Sequence, residues 1–384
     1  MKKRILFVIT NFGTGGILRS LQNFLNRYDS STYDVDVFAL THQGLYRDQL
    51  PNCRVLPRHR FLDASLARFE KQSGTGKVES FVMKILNKVT GYRFQSALFR
   101  KVANKLVQGN EYDAVIAFSE GVPTAFVACM NHSNKIGWIH CDYASYMQIN
   151  GGHSELATYD KLQHIVCVSE FTRQSFVHIY PTIADKTEAV YNIIDDEMML
   201  SKAKEPIKEI FDDSCFNIVS VGRIDPVKRL SIVPELARKV TDAGCKIRWN
   251  VIGPKGTDGE VRLFEENRKQ FNVEDVVFPL GEKANPYPYI AKADLLVNTS
   301  ISEACPYVIN EAKILGTPVV CTDFGSAKEF VDYGINGFYE PIERISDRII
   351  SLVNNPNELR RMKEALKEFR YDNEHILNKI YSLI

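Results

Sequence analysis

Two glutamates eight positions apart flank a proline in the second half of the chain. Glu303 lies three residues before Pro306, and Glu311 lies five residues after it. Because Pro suits the first turn of a helix, we expect a short helix of about three turns that ends near Gly316. Two carboxylates beside the free N–H groups of a helix start could hold a hydroxyl-rich ligand with an anionic centre. Two glutamates alone are also typical of surface or capping positions.

A pair of cations follows an apolar run earlier in the same half. Residues 216–221 lead into Gly222 and Arg223, and Lys228 comes after a short turn. Arg can engage two oxygens in a fork and Lys supplies a mobile point charge, so the pair suits a diphosphate. A solvated basic loop would have the same composition.

A glycine-rich turn, NFGTGG at 11–16, follows the first apolar run of the chain. Such a turn ahead of a helix lets the backbone approach an anion and directs N–H groups at it. The dinucleotide fingerprint would need a glycine at position 18, where Leu18 stands, and a P-loop would need Gly-Lys-Ser/Thr at its end. The turn fits neither motif, and a plain strand-to-helix turn remains an alternative.

The elements that must position these residues are short apolar runs that alternate with longer amphipathic segments. The predicted strands are 4–10, 35–41, 114–118, 135–140, 164–169, 216–221, 247–252, 276–279, 295–299 and 318–322. Near-continuous apolar strands separated by helices indicate parallel sheets covered on both faces. The length of 384 residues fits two doubly wound α/β units, with a seam near the charged stretch 192–215. In such sheets ligands bind at the carboxyl ends of the strands, where the residues above lie.

Composition excludes several classes of protein. Lys and Arg number 48 against 47 Asp and Glu, so the chain lacks the overall positive charge of nucleic-acid binders. Residues 1–192 nevertheless carry 22 Lys and Arg against 16 Asp and Glu, whereas residues 193–384 carry 26 against 31. The eight cysteines form no C-x-x-C pair and mostly lie in apolar stretches, which favours a reducing cytoplasm. No run approaches the roughly 20 apolar residues of a membrane span.

Taken together in chain order, the motifs resemble retaining GT-B glycosyltransferases of family 4, the E-x7-E group. The segments that carry the resemblance are GTGGILRSLQNFL (13–25), WIHCDY (138–143), VCVSEFTR (166–173), VYNIID (190–195), VGRIDPVKRL (221–230), SISEACPYVINEA (300–312), LGTPVVCTDFG (315–325) and GINGF (334–338). The resemblance covers most of the chain. It implies two doubly wound Rossmann-like domains facing across a cleft, an acceptor-side domain at 1–195 and a nucleotide-sugar domain at 196–371. We expect 372–384 to pack back on the first domain.

The resemblance implies roles for five residues on the donor side. Arg223 and Lys228 would neutralise the diphosphate of a nucleotide sugar, and Glu311 would hold the ribose hydroxyls. Glu303 would lie by the donor sugar and the reacting diphosphate, and the base would pack near Leu280. Catalysis would rest on electrostatic stabilisation of the leaving nucleoside diphosphate, with no metal ion or other cofactor.

On the other domain, the resemblance implies that Gly15 and Gly16 approach the sugar phosphate and that His140 lies at the reaction centre. A strand-end histidine that does not touch substrate is the alternative for His140. The implied activity is hexosyl transfer from a nucleotide sugar, with a UDP-sugar favoured, to a carbohydrate or lipid-linked acceptor in surface polysaccharide assembly. The implied location is the cytoplasm or the inner face of the cell membrane. A sugar-nucleotide epimerase and a non-catalytic sugar-nucleotide-binding subunit are the alternatives.

Asp34-Val-Asp36 could be taken for the D-x-D metal motif of the other large glycosyltransferase fold. Both residues fall at the start of a predicted strand, where alternation places them on one face, away from the intervening valine. The sequence therefore favours an ordinary strand start over a metal site.

One basic segment, 68–105, lies outside the family motifs. Nine Lys and Arg stand there against Glu70 and Glu79, and apolar residues recur at helical spacing between Val78 and Tyr92. A basic amphipathic helix can lie in an anionic membrane surface. A core-packed helix with a solvated basic face is the equally weighted alternative.

Overall fold

The structure is a computed structural model, and it describes residues 2–13, 15–44, 46–66, 75–91, 93–207, 211–212 and 214–384. The chain divides into two compact units. Unit 1 comprises Met1–Ile193 together with Asn373–Ile384, and unit 2 comprises Ile194–Asp372.

Unit 1 is built on a parallel sheet of seven strands. They are β1 (Lys3–Ile9), β2 (Tyr33–Ala39), β3 (Arg54–Val55), β4 (Ala114–Ala117), β5 (Lys135–Ile139), β6 (His164–Cys167) and β7 (Thr187–Ala189). Their order across the sheet is β3-β2-β1-β4-β5-β6-β7. Every residue of β4 and β5 is buried, as expected for central strands that helices cover on both faces.

The helices of unit 1 connect these strands and cover the sheet. They are α1 (Gly16–Arg27), α2 (Arg60–Leu66), α3 (Thr75–Val89), α4 (Arg93–Val107), α5 (Val122–Ala128), α6 (Tyr143–Ile149), α7 (Leu156–Tyr159) and α8 (Glu170–Ile179).

Unit 2 repeats this architecture with six parallel strands. They are β8 (Phe216–Val221), β9 (Ile247–Ile252), β10 (Val277–Gly281), β11 (Leu295–Asn298), β12 (Val319–Thr322) and β13 (Gly337–Glu340), in the order β10-β9-β8-β11-β12-β13. The helices are α9 (Asp196–Lys202), α10 (Val233–Asp242), α11 (Asp258–Gln270), α12 (Tyr287–Lys292), α13 (Tyr307–Ile314), α14 (Ala327–Phe330), α15 (Ile345–Asn354) and α16 (Pro356–Lys367). Among the described helices of both units, none combines the length and the apolar character that crossing a bilayer requires.

The last helix, α17 (Asn373–Ser382), returns to unit 1. The ring of Tyr381 stacks on Tyr33 at 4.5 Å between centroids, and its hydroxyl accepts a hydrogen bond from the Asp29 amide at 2.8 Å. The Asn134 side chain donates to the Leu383 carbonyl at 2.8 Å. These contacts attach the end of the chain to unit 1 at the start of β2 and immediately before β5.

The predicted fold class is confirmed, and each of the ten predicted strands is present. Three further strands, β3, β7 and β13, were not predicted. β3 and β7 are only two and three residues long, and β13, of sequence GFYE, lacks a continuous apolar run. α13 also spans eight residues, about one turn fewer than the three turns expected.

In unit 1, the Asp36 side chain is buried and hydrogen-bonded to other side chains. Its side chain is 7% exposed and accepts hydrogen bonds from Arg54 at 2.8 Å and Tyr112 at 2.6 Å. Burial alone would raise the pKa of Asp36, but these hydrogen bonds outweigh burial and hold it below its ordinary value. Asp34, by contrast, is exposed and pairs with Lys2. Both residues lie at the start of β2, as predicted. The carboxylate of Asp36 accepts hydrogen bonds from an arginine and from a tyrosine hydroxyl.

Candidate functional site

The strand order of unit 2 places the predicted donor-side residues along one edge of the sheet. Leu280 lies near the end of β10, Arg223 follows β8, and Glu303 follows β11. β10, β9, β8 and β11 are consecutive neighbours in a parallel sheet, so their carboxyl ends lie side by side.

The loop after β8 is shaped by Asp225. Its carboxylate accepts a hydrogen bond from the Lys228 amide at 2.9 Å and another from the Arg223 guanidinium at 2.7 Å. Burial would raise the pKa of Asp225, but the hydrogen bonds from Lys228 and Arg223 outweigh it and lower the pKa. The Arg223 side chain is still 61% exposed, so its guanidinium can reach a ligand in solvent.

The loop after β11 places the Glu303 carboxylate in an ion pair with Lys228. The Lys228 ammonium donates to Glu303 Oε1 at 2.6 Å, and the Ser300 hydroxyl donates to the same oxygen at 2.7 Å. The Glu303 side chain is 11% exposed and that of Lys228 is 31% exposed. A half-buried ion pair of this kind fixes both side chains at the edge of the sheet.

Backbone contacts hold the two loops together. The Thr299 hydroxyl donates to the Lys228 carbonyl at 2.9 Å, and the Ile301 amide donates to the Val227 carbonyl at 2.8 Å. The end of β9 also approaches closely: a Cβ on Gly253, where φ is 151°, would lie 1.9 Å from the Gly222 carbonyl oxygen. Only glycine fits there, so the turn after β8 is tightly confined.

Helix α13 carries Glu311 on its second turn. Glu311 is 2% exposed, and its carbonyl accepts the Leu315 amide at the end of the helix. Two residues further on, the buried ammonium of Lys313 donates to the Phe330 carbonyl at 2.7 Å and thereby holds the helix in place. Leu280, the residue predicted to contact the base, is half-buried at the end of β10.

In unit 1 the glycine loop follows β1 and leads into α1. Gly15 is the N-cap residue of α1 with φ of 153°, a backbone conformation that side chains rarely adopt, and it provides no side-chain cap. Gly16 is the first residue of the helix, and a Cβ there would meet no heavy atom within 4 Å. The conformation therefore requires a glycine at position 15, whereas position 16 has room for a side chain.

His140 directly follows β5 and is partly buried. Its ring meets the Phe118 ring edge-on at 4.8 Å, and its Nε2 atom has no hydrogen-bond partner among the described residues. Burial lowers the pKa of His140 to about 3, so the imidazole is neutral at physiological pH. A neutral imidazole with an unused nitrogen can still donate or accept one hydrogen bond.

Glu120, which follows β4, was not predicted from the sequence. Its carboxylate accepts a hydrogen bond from the His140 amide at 3.0 Å, and burial raises its pKa. β4 lies between β1 and β5 in the sheet, so Glu120 stands between the glycine loop and His140. Its position after an apolar strand was the available signal, but the strand order that makes it a neighbour of His140 is not visible in the sequence.

The structure thus connects four of the predicted residues to partners in two groups, one in each unit, and the second group includes the unpredicted Glu120. Arg223, Lys228 and Glu303 form one connected group in unit 2. Glu120 and His140 are in contact in unit 1. Each group lies at the carboxyl edge of its own sheet, where ligands of parallel sheets bind.

Family comparisons match both units. A model described as Glycosyltransferase Family 4 matches residues 14–198, and a model described as Glycosyl transferases group 1 matches residues 201–369. The chain is 31% identical over 336 residues to the N-acetylgalactosamine-N,N'-diacetylbacillosaminyl-diphospho-undecaprenol 4-alpha-N-acetylgalactosaminyltransferase of Campylobacter jejuni. That match covers 85% of this chain and 82% of the relative. The matches to two other curated relatives are shorter and cover 36% and 49% of the length of those proteins.

Solved structures share the fold over the whole chain. HepE of Anabaena, solved with UDP and glucose, superimposes with a TM-score of 0.72 at 18% identity, over 98% of each chain. A variant of TarM from S. aureus, solved with Fondaparinux, alpha-GlcNAc-glycerol and UDP, gives a TM-score of 0.73 at 15% identity, over 99% of each chain. With two family models that together span both units and one relative matched over most of its length, this chain belongs to the glycosyltransferases of GT-B fold.

Proposed function

We propose that this glycosyltransferase moves a hexosyl unit from a nucleotide sugar, with a UDP-sugar favoured, to a carbohydrate or lipid-linked oligosaccharide acceptor. The observation that carries the proposal is the group of Arg223, Lys228 and Glu303 at the edge of the unit 2 sheet. It sets two cations for a diphosphate beside a carboxylate for a sugar hydroxyl. A nucleotide sugar has both chemical groups next to each other.

In this reaction the cations act on the leaving group. Arg223 and Lys228 bind the diphosphate and stabilise the negative charge that grows on it as the bond to the sugar breaks. Glu303 positions the Lys228 ammonium through the 2.6 Å contact and accepts a hydrogen bond from the sugar. Glu311 holds the ribose hydroxyls, and Leu280 packs against the base.

Unit 1 provides the remaining contacts. Gly15 and Gly16 bring the start of α1 to the sugar phosphate, where unpaired helix N–H groups favour an anion. His140 offers its unused ring nitrogen to the donor sugar as a neutral hydrogen-bonding group. Transfer retains the anomeric configuration, as the resemblance to the E-x7-E group implies.

The names of similar proteins support the choice of substrates. The Campylobacter relative is named for a diphospho-undecaprenol acceptor and an alpha linkage, and retention would give an alpha linkage from an alpha-linked donor. HepE and TarM were both solved with UDP. We therefore favour UDP-sugars as donors and a lipid-linked oligosaccharide of surface polysaccharide assembly as acceptor, reached at the cytoplasmic face of the membrane.

A thermal-shift screen against UDP-, GDP- and ADP-sugars tests the donor class. A ligand at 100 times its dissociation constant stabilises the native state by about 2.7 kcal/mol, which is readily measured as a rise in Tm. We expect UDP-sugars to raise the Tm more than GDP- or ADP-sugars at equal concentration. If no nucleotide sugar raises it, the proposed reaction is wrong.

We also expect sugar transfer to need no added metal ion. Arg223, Lys228 and helix N-termini supply the positive charge that a divalent cation supplies to a leaving diphosphate in other enzymes. The measurement is the transfer rate of purified enzyme in excess EDTA, compared with the rate in manganese or magnesium. Loss of transfer in EDTA that manganese restores would contradict this mechanism and return Asp34 and Asp36 to consideration as ligands.

A further inference from the structure

Helix α3 presents its apolar residues to solvent. Five of them, which we name the α3 apolar stripe, are between 46% and 79% exposed: Val78, Phe81, Val82, Ile85 and Val89. The side of the helix that faces unit 1 is instead formed by Ser80, Met83 and Asn87, each at most 5% exposed. A helix that stabilised the core would have the opposite arrangement.

The neighbouring helix packs in the ordinary way. α4 buries Phe99, Val102 and Ala103 in the hydrophobic core of unit 1. The two interpretations of the basic segment 68–105 therefore apply to different helices. α4 is core-packed with a basic outer face, whereas α3 leaves its apolar face uncovered. Of the residues named for that segment, Arg68, Glu70, Lys71 and Tyr92 lie outside the described residues.

Three lysines border the stripe along one side. At about 100° per residue, Lys77, Lys84 and Lys88 fall on adjacent positions of the helix circumference, next to Phe81, and all three are exposed. The single acidic residue of α3, Glu79, lies on the other side, where it pairs with Arg60. Within α3 itself, the exposed arc thus combines apolar side chains with lysines and contains no acidic residue.

We propose that α3 is an interfacial helix that binds unit 1 to an anionic lipid bilayer. The α3 apolar stripe inserts at the level of the lipid headgroups, and Lys77, Lys84 and Lys88 bind lipid phosphates. Long lysine side chains at the border of an apolar face suit this boundary, since their methylene stems stay in the apolar layer while the ammonium reaches the headgroups.

Charge complementarity favours a bilayer over a second copy of the chain. In a symmetric contact between two α3 helices, the lysine rows of both copies would be brought together, and like charges repel. An anionic bilayer provides both an apolar layer for the α3 apolar stripe and negatively charged headgroups for the lysines. This binding is independent of the proposed transfer reaction, so a failure of either leaves the other intact.

Vesicle cosedimentation of the full chain tests the apolar contribution. We expect the parent to bind vesicles of phosphatidylglycerol and phosphatidylcholine, and the Phe81→Ser/Ile85→Ser variant to bind more than tenfold more weakly. Both positions are exposed, so an unchanged Tm should show that the fold is intact. The control is Leu263→Ser, which changes a side chain of comparable exposure on the acidic helix α11 and should leave binding unaltered.

A charge-matched pair tests the lysine row. Lys84→Gln/Lys88→Gln should lower binding to the same vesicles at low salt about 25-fold. Arg100→Gln/Lys101→Gln removes the same charge from the exposed face of α4 and should have a much smaller effect. Equal losses in both variants would show that the general positive charge of unit 1, rather than α3, attracts the vesicle.

Fluorescence quenching tests insertion directly. Phe81→Trp adds an exposed indole to a chain whose two tryptophans, Trp138 and Trp249, are at most 3% exposed. Lipids brominated on the acyl chain should quench the introduced indole, whereas Leu263→Trp should show no additional quenching. The proposal is overturned if the parent does not bind anionic vesicles, if the serine variant binds as the parent does, or if sedimentation shows a parent dimer that the serine variant dissociates.

Discussion

His140→Gln should lower the turnover of sugar transfer about 100- to 1,000-fold while the protein stays folded. That range is the usual cost of removing one hydrogen-bonding group from the charge-stabilising arrangement of an enzyme. The imidazole is packed edge-on against Phe118, and its buried Nε2 has no hydrogen-bond partner among the described residues, so glutamine breaks no protein hydrogen bond of that atom. Turnover, KM for the donor and Tm of parent and variant are the measurements.

The pH profile separates two roles for this histidine. Burial holds its pKa near 3, so the imidazole is neutral from pH 5 to 9 in the folded protein and does not gain or lose a proton there. We therefore expect the profile of turnover to have the same limbs in parent and variant. A limb near pH 6.5 that His140→Gln abolishes would instead make His140 a proton-transfer group.

A second histidine provides the matched control. Both ring nitrogens of His132 are hydrogen-bonded to the backbone: Nδ1 accepts from the Asn134 amide at 3.1 Å, and Nε2 donates to the Tyr112 carbonyl at 2.8 Å. His132→Gln should lower the Tm and leave turnover near the parent value. If His140→Gln behaves in the same way, His140 is a strand-end histidine with a structural role, the alternative that the sequence left open.

Sequence patterns predicted the central strands because those strands are buried on both faces. β4 and β11, for example, are buried at every position, so burial leaves an unbroken apolar run in the sequence. Edge strands such as β3, which spans Arg54–Val55, contain too few residues to show any period. The position of the candidate site residues after strands followed from the same reasoning, since ligands of parallel sheets bind at the carboxyl ends.

Side-chain partners and helix orientation could not be predicted in this way. The sequence presents Lys228 as a cation for phosphate, and the contact with Glu303, 75 residues away, appears only when β8 and β11 are neighbours. Glu120 was missed for the same reason. For α3 the periodicity of apolar residues revealed a face but carries no information on whether that face points to the core or to solvent.

Because Lys228 and Glu303 form an ion pair, substitutions of the two residues should change the affinity for UDP in opposite directions. Lys228→Ala should weaken binding of the nucleoside diphosphate about 10- to 150-fold, which corresponds to about 1.5–3 kcal/mol for a charge-assisted contact. The variant loses a cation and also leaves the Glu303 carboxylate without its 2.6 Å partner, where it repels the phosphates. Arg223→Ala should weaken binding to a similar extent. Titration calorimetry with UDP measures both affinities.

Glu303→Gln should have the reverse effect on affinity and the larger effect on catalysis. Removing the carboxylate frees the Lys228 ammonium from its ion pair, so UDP should bind at least as tightly as in the parent. Turnover should nevertheless fall about 100- to 1,000-fold, because the group that contacts the donor sugar and positions Lys228 has lost its charge. An affinity that falls together with turnover would mean that Glu303 organises the loop rather than the reaction.

A surface ion pair on α10 controls for nonspecific charge effects. Lys239 donates to Glu235 at 2.7 Å, nearly the distance in the Lys228–Glu303 pair, but both partners are more exposed. Because exposed pairs contribute little, Lys239→Ala and Glu235→Gln should leave UDP affinity and turnover unchanged. If Arg223→Ala and Lys228→Ala also leave UDP affinity unchanged, the diphosphate is bound elsewhere, and the edge formed by β8 and β11 is not the donor site.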